Sequence, residues 1–272
     1  MYDIVSPMNT FTSCIPCFFN QVEDAKSLFN LSDEQTRKIM NILGESLKHF
    51  SPTQSPPELA VVTQMLLEEA LGTNDPYAEI KRESNEKALA MYPVLQKSVE
   101  ESDYPLKKAI ELSCAGNIID YGVLGLSLNV EKEIQKIVSS SDAQINKEKK
   151  SLFALDKFTQ KLENSSTLLF LADNAGEIVF DRLLLETIHS LYPSLAITVA
   201  LRGRPILNDA LLEDALSIHL DEFTTLITSG VPTPATVLSL ATPQFLEVYE
   251  TSDMIISKGQ GNYEALSGEK RE

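Results

Sequence analysis

The sequence contains no run of about 18 apolar residues, so no segment is long enough to cross a membrane as a helix. Its first residues, MYDIVSPMNT, also lack the basic-then-apolar order of a signal peptide. Basic residues are few: 23 Lys and Arg stand against 39 Asp and Glu, which gives a formal charge of −16. This charge disfavours nonspecific binding to nucleic acid or to anionic membranes. We therefore expect a cytoplasmic protein whose partners include neither, although a local basic pocket for a small anion is compatible with the composition.

Cysteine is also scarce, with copies only at Cys14, Cys17 and Cys114. An odd number of cysteines in an acidic chain argues against a secreted disulfide framework. Cys14 and Cys17 form a CxxC motif, which is half of a possible metal or redox site, but a zinc site normally needs more ligands. Two interpretations stay open: the thiols lie together near a functional site, or they form a buried cluster that serves packing alone.

The familiar nucleotide-binding motifs are absent as well. No GxxxxGK[ST] loop occurs, and the segment DNAGE supplies a single glycine where a dinucleotide fold needs GxGxxG. An aspartyl-phosphate phosphatase would place a second acid two residues after its nucleophile, but that position is Ala175. Asp173 is therefore better interpreted as a metal ligand than as a nucleophile.

The first half of the chain is patterned as consecutive helices. Ser32 and Gln35 form a capping box, and Asp75 followed by Pro76 predicts the start of a long helix. The predicted helices cover residues 32–50, 58–71, 75–100, 129–139 and 147–164, with another starting at 105.

The second half alternates short β-branched runs with helical stretches. The predicted strands are residues 167–172, 196–201, 224–228 and 253–257, and the predicted helices between them are 177–192, 209–219 and 243–250. Such alternation implies right-handed crossovers and a largely parallel sheet. The predicted fold class is α/β: an N-terminal helical domain, residues 1–145, packed on a three-layer α/β/α domain, residues 146–272.

Polar residues follow each predicted strand, at the edge where open parallel sheets bind ligands. The four segments are DNAGE at 173–177, RGRP at 202–205 with Asn208 and Asp209, SG at 229–230, and KGQGNYE at 258–264. Carboxylates, a carboxamide, arginines, a lysine and glycine-rich turns together suit a divalent metal beside a phosphate. Each segment also has a plain structural interpretation. Asp173 could cap the following helix, Asn174 could take a left-handed turn conformation, the arginines could be solvated, and GQGN could be a simple turn.

The motifs CIPCFFNQ, AGNIIDYG, LADNAGEIVFD, RGRPILNDA and ISKGQGNYE occur in this order and span nearly the whole chain. As a set they resemble the metal-dependent damage-control phosphatase family, first catalogued as domain of unknown function 89 and including the acidic-residue-methyltransferase-like proteins. The likeness is greatest to its small microbial, cysteine-bearing branch. The resemblance implies a helical N-terminal region on an α/β/α domain, in agreement with the pattern above.

The resemblance also implies roles for individual residues. Asp173, Asn174 and Asp209 would be the catalytic residues and would bind the metal, a divalent ion such as Mn, Ni, Co or Mg. The residues expected at the substrate are Lys258, Gly259, Asn262, Glu177, Arg202, Asn117 and Asp120, with Arg204 as a substitute for Arg202. The substrate would be a small phosphorylated metabolite, such as a sugar phosphate or its damaged form.

These expectations define a metal-dependent phosphomonoester hydrolase. The alternative from another class is a metal-holding protein that binds phosphometabolites without turnover. The resemblance implies that the chain after GNYE usually continues into a segment ending in a strand that begins with a Lys-Cys-Pro-like stretch. No such stretch follows GNYE here, so we expect the domain of residues 146–272 to lack this strand. Asp173→Ala is expected to abolish metal-dependent activity and leave the fold intact. If Asp173 were only a helix cap, Asp173→Ala would instead lower the stability by about 0.5–2 kcal/mol.

Overall fold

The computed structural model describes residues 10–49, 55–117, 154–269 and 271. In the first of the two halves, the described residues form five α-helices: α1 Ile15–Phe29, α2 Asp33–Ser46, α3 Pro56–Leu71, α4 Ala78–Glu100 and α5 Pro105–Ala115. None of the described helices has both the length and the apolar character needed to span a membrane. The helix predicted over 129–139 lies outside the described residues.

Local sequence signals set the ends of several helices. Before α2, the Ser32 side chain accepts the Gln35 N–H while the Gln35 side chain accepts the Ser32 N–H, which confirms the predicted capping box. After α3, Gly72 takes a φ of 68°, the left-handed conformation that glycine adopts most easily. The first helix, α1, carries a proline in its first turn and ends at Asn30 with a φ of 52°; the sequence analysis named no helix there.

In the second half, the described residues form four strands and five helices. These are α6 Leu155–Glu163, β1 Thr167–Leu171, α7 Glu177–Leu191, β2 Ala196–Leu201, α8 Leu212–Ser217, β3 Thr225–Thr228, α9 Pro243–Thr251, β4 Met254–Ser257 and α10 Gln260–Leu266. The strands form one sheet of order β3–β2–β1–β4, and every pairing is parallel. The predicted α/β class and parallel sheet are therefore confirmed.

Helices cover both faces of this sheet. Alternation along β1 sends Leu168 and Phe170 to the face that packs against α7, with α4 and α5 behind it. The intervening Leu169 and Leu171 pack against Phe245 and other side chains of α9 on the opposite face. Burial on both faces explains why the strand sequence TLLFL is nearly continuous in apolar residues.

One hydrophobic core crosses from the helical half to the sheet. Leu95 of α4 and Leu112 of α5 belong to the same buried cluster as Phe170 of β1 and Phe180 of α7. A second cluster joins α1, α2 and α3. The predicted boundary between residues 145 and 146 lies outside the described residues, so the division into two domains stays a prediction.

Two segments near the sheet edge differ from the prediction. The helix predicted to begin at 209 begins only at Leu212, because Asp209 pairs with Asn174 in an isolated antiparallel bridge. The GQGN segment is not a plain turn: Gly259 makes the turn with a φ of 87°, and α10 begins directly after it. Both differences arise from contacts with the loop that follows β1.

Candidate functional site

Backbone contacts bring the loops after β1 and β2 together. Asn174 and Asp209 form the antiparallel bridge, and the Ala210 N–H donates to the Asp173 carbonyl at 2.7 Å. The Asn174 side chain also donates to the Asp173 carboxylate, with an Nδ2–Oδ2 distance of 3.2 Å. Three of the predicted site residues therefore lie at one corner, at the carboxyl ends of β1 and β2, as expected for a ligand site in a parallel sheet.

Gly259 leaves room for the Asp173 side chain. A Cβ atom built on Gly259 would lie 2.2 Å from both Cγ and Oδ2 of Asp173, far inside contact distance. The backbone at Gly259 has φ 87° and ψ 153°, a conformation almost exclusive to glycine. The structure thus explains why the first residue after Lys258 in the KGQGN segment is glycine: the absence of a side chain there permits the Asp173 carboxylate to occupy the corner. The sequence alone did not indicate this contact.

Arg202 is a buried cation at the end of β2. Its Nε donates to Asp209 Oδ2 at 2.5 Å, and its NH2 group lies 3.7 Å from Asp173 Oδ1. Its NH1 group donates to the side chains of Thr236 and Asn262, at 3.1 and 3.2 Å. Among the described residues the NH2 group has no hydrogen-bond partner, although the residue is 3% exposed. The guanidinium therefore joins two of the predicted metal ligands and retains an unsatisfied donor within the described structure.

Lys258, at the end of β4, is held by two carboxylates and by a residue of the helical half. Its ammonium group lies 2.5 Å from Glu177 Oε1 and 2.7 Å from Asp181 Oδ1. It also donates to the Ser113 carbonyl and hydroxyl, at 3.0 and 3.1 Å. Burial lowers the pKa of Lys258, but Asp181 and Glu177 raise it further, so the net pKa lies above its usual value and the side chain is charged.

Negative charge exceeds positive charge in this corner. Four described carboxylates, Asp173, Glu177, Asp181 and Asp209, contact two cations, Arg202 and Lys258. Burial, followed by the charges of Asp209 and Glu177, holds the pKa of Asp173 well above its ordinary range. Burial also raises the pKa of Glu177 and that of Asp209, against the opposing effect of the neighbouring cations. Burial is the largest cause of all three raised pKa values, and an additional cation at the corner would favour the charged form of each carboxylate.

Asn262 is completely buried and contacts protein atoms with both ends of its amide. Its Oδ1 accepts the Thr236 N–H at 2.8 Å as well as the Arg202 guanidinium, and its Nδ2 donates to the Lys258 carbonyl at 2.8 Å. It thereby joins the loops that follow β2, β3 and β4. A direct substrate contact of Asn262 stays a prediction, and the observed contacts are structural.

The remaining predicted site residues are Arg204, Asn117 and Asp120, and they differ in their contacts and in whether the structure describes them. Arg204 pairs with Glu68 of α3, where its NH2 group donates to both carboxylate oxygens at 2.9 and 3.0 Å. Asn117 is exposed one residue after Gly116, and a Cβ on Gly116 would lie 3.1 Å from Glu177 Cγ. This turn therefore lies next to Glu177, and a role of Asn117 at the substrate stays a prediction. Asp120 lies outside the described residues.

The three cysteines are free thiols. Cys14 precedes α1 and Cys17 lies in its first turn, whereas Cys114 follows Ser113 on α5. Cys14 is half-buried, whereas Cys17 and Cys114 are exposed, and the expected proximity of the three thiols stays a prediction.

Three residues that were not predicted from the sequence also lie at the site: Asp181, Ser113 and Asn85. Asp181 had a detectable signal, because it lies one helical turn after Glu177 in α7 and so shares its face. Ser113 and Asn85 come from α5 and α4, far away in sequence. No local pattern indicates such contacts.

The oxygen atoms at the corner are of the type that hard divalent cations prefer as ligands. Among the described residues no three His, Cys, Asp or Glu side chains form a ready-made metal cluster. The donors here are instead mixed: two carboxylates, Asp173 and Asp209, and the carboxamide of Asn174. Oxygen donors of this type are preferred by Mg²⁺ and Mn²⁺. A cation would also satisfy the unmatched negative charge and the buried Glu177 Oε2, which has no hydrogen-bond partner within the described part of the chain.

Comparisons with a family model, with known sequences and with a solved structure all indicate the same family. Residues 10–272 match the family model described as the damage-control phosphatase ARMT1-like domain. An uncharacterized protein of Methanocaldococcus jannaschii is 32% identical over 93% of this chain and 82% of its own length. A protein of Archaeoglobus fulgidus named damage-control phosphatase is 35% identical over 84% of this chain and 78% of its own.

A third relative, from Pyrococcus horikoshii, is also named a damage-control phosphatase; it is 28% identical over 93% of this chain and 85% of its own length. The crystal structure of a DUF89 family protein from the same organism superposes on this fold with a TM-score of 0.76 and 25% identity. That superposition covers 95% of this chain and 87% of the other.

Proposed function

Because the chain belongs to the damage-control phosphatase ARMT1-like family, we propose that it hydrolyses small phosphorylated metabolites with the help of a divalent metal ion. The family membership itself supports a phosphatase role. The dependence on a metal, the residues that hold it and the class of substrate are the parts that we propose.

The unmatched negative charge at the sheet edge is the observation that carries the proposal. Four buried or half-buried carboxylates of the described corner contact two cations, and both cations are already engaged by carboxylates. A third buried cation, Lys81, acts on Asp209 without contacting it and is paired with Asp75. A phosphate monoester adds between one and two further negative charges near neutral pH. Without an additional cation the phosphate would be repelled, so a divalent ion at the corner reconciles the acidic site with an anionic substrate.

Asp173, Asn174 and Asp209 would hold this ion. When bound, the ion would act as a Lewis acid toward a phosphate oxygen and lower the pKa of the attacking water. The NH2 group of Arg202, unsatisfied among the described residues, would donate to a second phosphate oxygen. The N-terminus of α7 opens on the same corner, and the positive end of its dipole favours an anion there.

Lys258 would act mainly on the site's electrostatics. Its ammonium group is held between Glu177 and Asp181 and by Ser113, so it neutralises two carboxylates close to the phosphate position. This placement lets the corner accept a dianion without moving a long side chain. Asn117 and Asp120 would close the cleft from the side of the helical half.

The test is phosphate release from p-nitrophenyl phosphate and from a panel of sugar phosphates. Each substrate is assayed with Mn²⁺, Ni²⁺, Co²⁺ or Mg²⁺ and with EDTA. We expect activity that needs a metal and that is lost in Asp173→Asn and Asp209→Asn. Asp33→Asn is the matched control, because Asp33 is an exposed carboxylate that pairs with Lys26 on the surface of the helical half.

Two outcomes would contradict the proposal. Hydrolysis that is unaffected by EDTA with every substrate would exclude the metal mechanism. Metal and phosphate ligands that raise the melting temperature without any release of phosphate would favour the binding protein that lacks turnover.

We further propose that the protein acts in the cytoplasm on small metabolites rather than on nucleic acid or at a membrane. The formal charge of −16 and the free thiols support this location. Subcellular fractionation with an antibody against the native protein tests it.

A further inference from the structure

A buried hydrogen-bond relay connects the helical half to both loops of the candidate metal corner. Asn85 of α4 accepts the Gly176 N–H with its Oδ1, at 2.6 Å, and donates from Nδ2 to Asp214 Oδ1 at 2.8 Å. Asp214 Oδ2 in turn accepts the Leu211 N–H at 2.8 Å. Gly176 follows the loop that carries Asp173 and Asn174, and Leu211 follows Asp209 by two residues.

The relay has the geometry of a spacer between two loops. Asn85 and Asp214 are 5% and 6% exposed, so water competes little for these bonds. Gly176 has a φ of 79° and stands immediately before α7, where its N–H has no partner within the helix. Without Asn85 this buried N–H would be unsatisfied, which favours a shift of the loop.

A purely structural interpretation accounts for only part of this arrangement. Asp214 caps the start of α8 by accepting the Leu211 N–H, and that bond uses only one of its two carboxylate oxygens. The cap explains neither why the second Asp214 oxygen faces Asn85 nor why the Asn85 oxygen faces Gly176. The Asn174–Asp209 bridge fixes the loops at one point, and the relay holds them at a second point on the side of α4.

We propose that Asn85 and Asp214 are positioning residues that fix the loop of Asp173 and Asn174 relative to the loop of Asp209. This inference rests on the proposed function, because those three residues are the metal ligands proposed above. In this role, Asn85 and Asp214 would act through the backbone N–H groups of Gly176 and Leu211 that they hold, and not as ligands themselves. Partners of this kind typically affect metal affinity by about 10- to 100-fold.

The relay can be tested by swapping the side chains of Asn85 and Asp214. In Asn85→Asp, two carboxylates face each other and the donor to Asp214 is lost. In Asp214→Asn, the amide oxygen accepts the Leu211 N–H, so the new NH2 group faces the NH2 group of Asn85 and two donors meet without an acceptor. The double variant N85D/D214N restores every bond. Its carboxylate at position 85 accepts the Gly176 N–H, while its amide at position 214 donates to that carboxylate and accepts the Leu211 N–H. The double variant also preserves the number of charges.

Two measurements are made on the wild type, both single variants and the double variant. Calorimetric titration with Mn²⁺ reports the affinity of the corner, and hydrogen exchange followed by mass spectrometry reports the protection of peptides that contain Gly176 and Leu211. Ser84→Ala is the matched control, since Ser84 is buried next to Asn85 on α4 but its hydroxyl donates to the Ile80 carbonyl of its own helix.

We expect each single variant to bind Mn²⁺ about 10- to 100-fold more weakly and to lose protection in both peptides, with recovery of both properties in the double variant. Single variants that lose protection but bind Mn²⁺ as the wild type does would overturn the positioning role, as would a double variant that recovers neither property. If the wild type itself binds no divalent ion, the proposed function fails. Hydrogen exchange alone then tests the relay, and a double variant that does not regain the lost protection would overturn the relay.

Discussion

The substitution Gly259→Ala has two expected effects, a displacement of the Asp173 carboxylate and backbone strain at position 259, and the two can be measured separately. A Cβ at this position would lie 2.2 Å from Asp173 Cγ and Oδ2, whereas real Cβ contacts begin near 3.0 Å, so the carboxylate must withdraw. The backbone, at φ 87° and ψ 153°, adds a strain of about 1–3 kcal/mol for a residue with a side chain. We expect a stability loss of that size together with a displaced Asp173.

The displacement has a separate consequence for the site. Misplacing a catalytic group by about 1 Å can lower activity by about 10²-fold. Gly259→Ala is therefore expected to weaken Mn²⁺ binding and phosphate release far more than its stability loss explains. Urea denaturation gives the free energy of unfolding, calorimetry gives the Mn²⁺ affinity, and p-nitrophenyl phosphate hydrolysis gives the rate.

Two other glycines supply matched controls. Gly72 has a φ of 68° with open space around it, so Gly72→Ala has the strain without the clash and is expected to cost about 1–2 kcal/mol with unchanged Mn²⁺ affinity. Gly44 lies within helix α2 with no described atom near the position of its missing Cβ, so Gly44→Ala is expected to stabilise by about 0.5–1 kcal/mol. A Gly259→Ala protein that binds Mn²⁺ like Gly72→Ala would refute the inferred contact with Asp173.

Further predictions concern the core and the sheet ends. Phe170→Ala removes a fully buried ring from β1 and should lower the free energy of unfolding by about 3–5 kcal/mol in urea, whereas Tyr104→Ala at the exposed surface should change it by less than about 0.5 kcal/mol. Equal losses would contradict the described core. Asp253 accepts the N–H groups of Ser166 and Thr167 and the Thr167 hydroxyl, which hold its pKa below the ordinary value. Its stabilising effect is present above the unfolded-state pKa and is lost as the pH falls through the lower folded-state pKa. Asp253→Asn should therefore lower the melting temperature near neutral pH, with a difference from wild type that shrinks in acid; a difference independent of pH would argue against these bonds.

Much of the α/β half was predictable because its signals are local. The strand TLLFL is nearly continuous in apolar residues since both of its faces are covered. In the helical half, the Ser32 capping box was predictable for the same reason, because it needs only residues three apart. The order of polar segments after strands also predicted which loops meet, because parallel strands bring their carboxyl ends to one edge. Asp173, Asn174 and Asp209 were brought together on that basis.

The remaining features depend on contacts between segments far apart in sequence. Asn85 meets Gly176 across 91 positions and Asp214 across 129, and neither separation leaves a periodic pattern. A contact of Lys258 with the substrate phosphate stays a prediction, whereas its contacts with Glu177, Asp181 and Ser113 were not predicted. Such pairings are set by how α4, α5 and α7 pack, which composition and spacing do not encode.

The central claim is that Asp173, Asn174 and Asp209 hold one divalent ion, and calorimetric titration with Mn²⁺ tests it most directly. The titration is run on the wild type and on Asp173→Ala, Asp209→Ala and Asn174→Ala, each paired with a thermal melt that establishes folding. The account predicts that the wild type binds, that the two aspartate variants fold but lose binding, and that Asn174→Ala binds more weakly than wild type, since a neutral carboxamide contributes less charge than a carboxylate. A folded Asp173→Ala protein that binds Mn²⁺ as tightly as the wild type would contradict it.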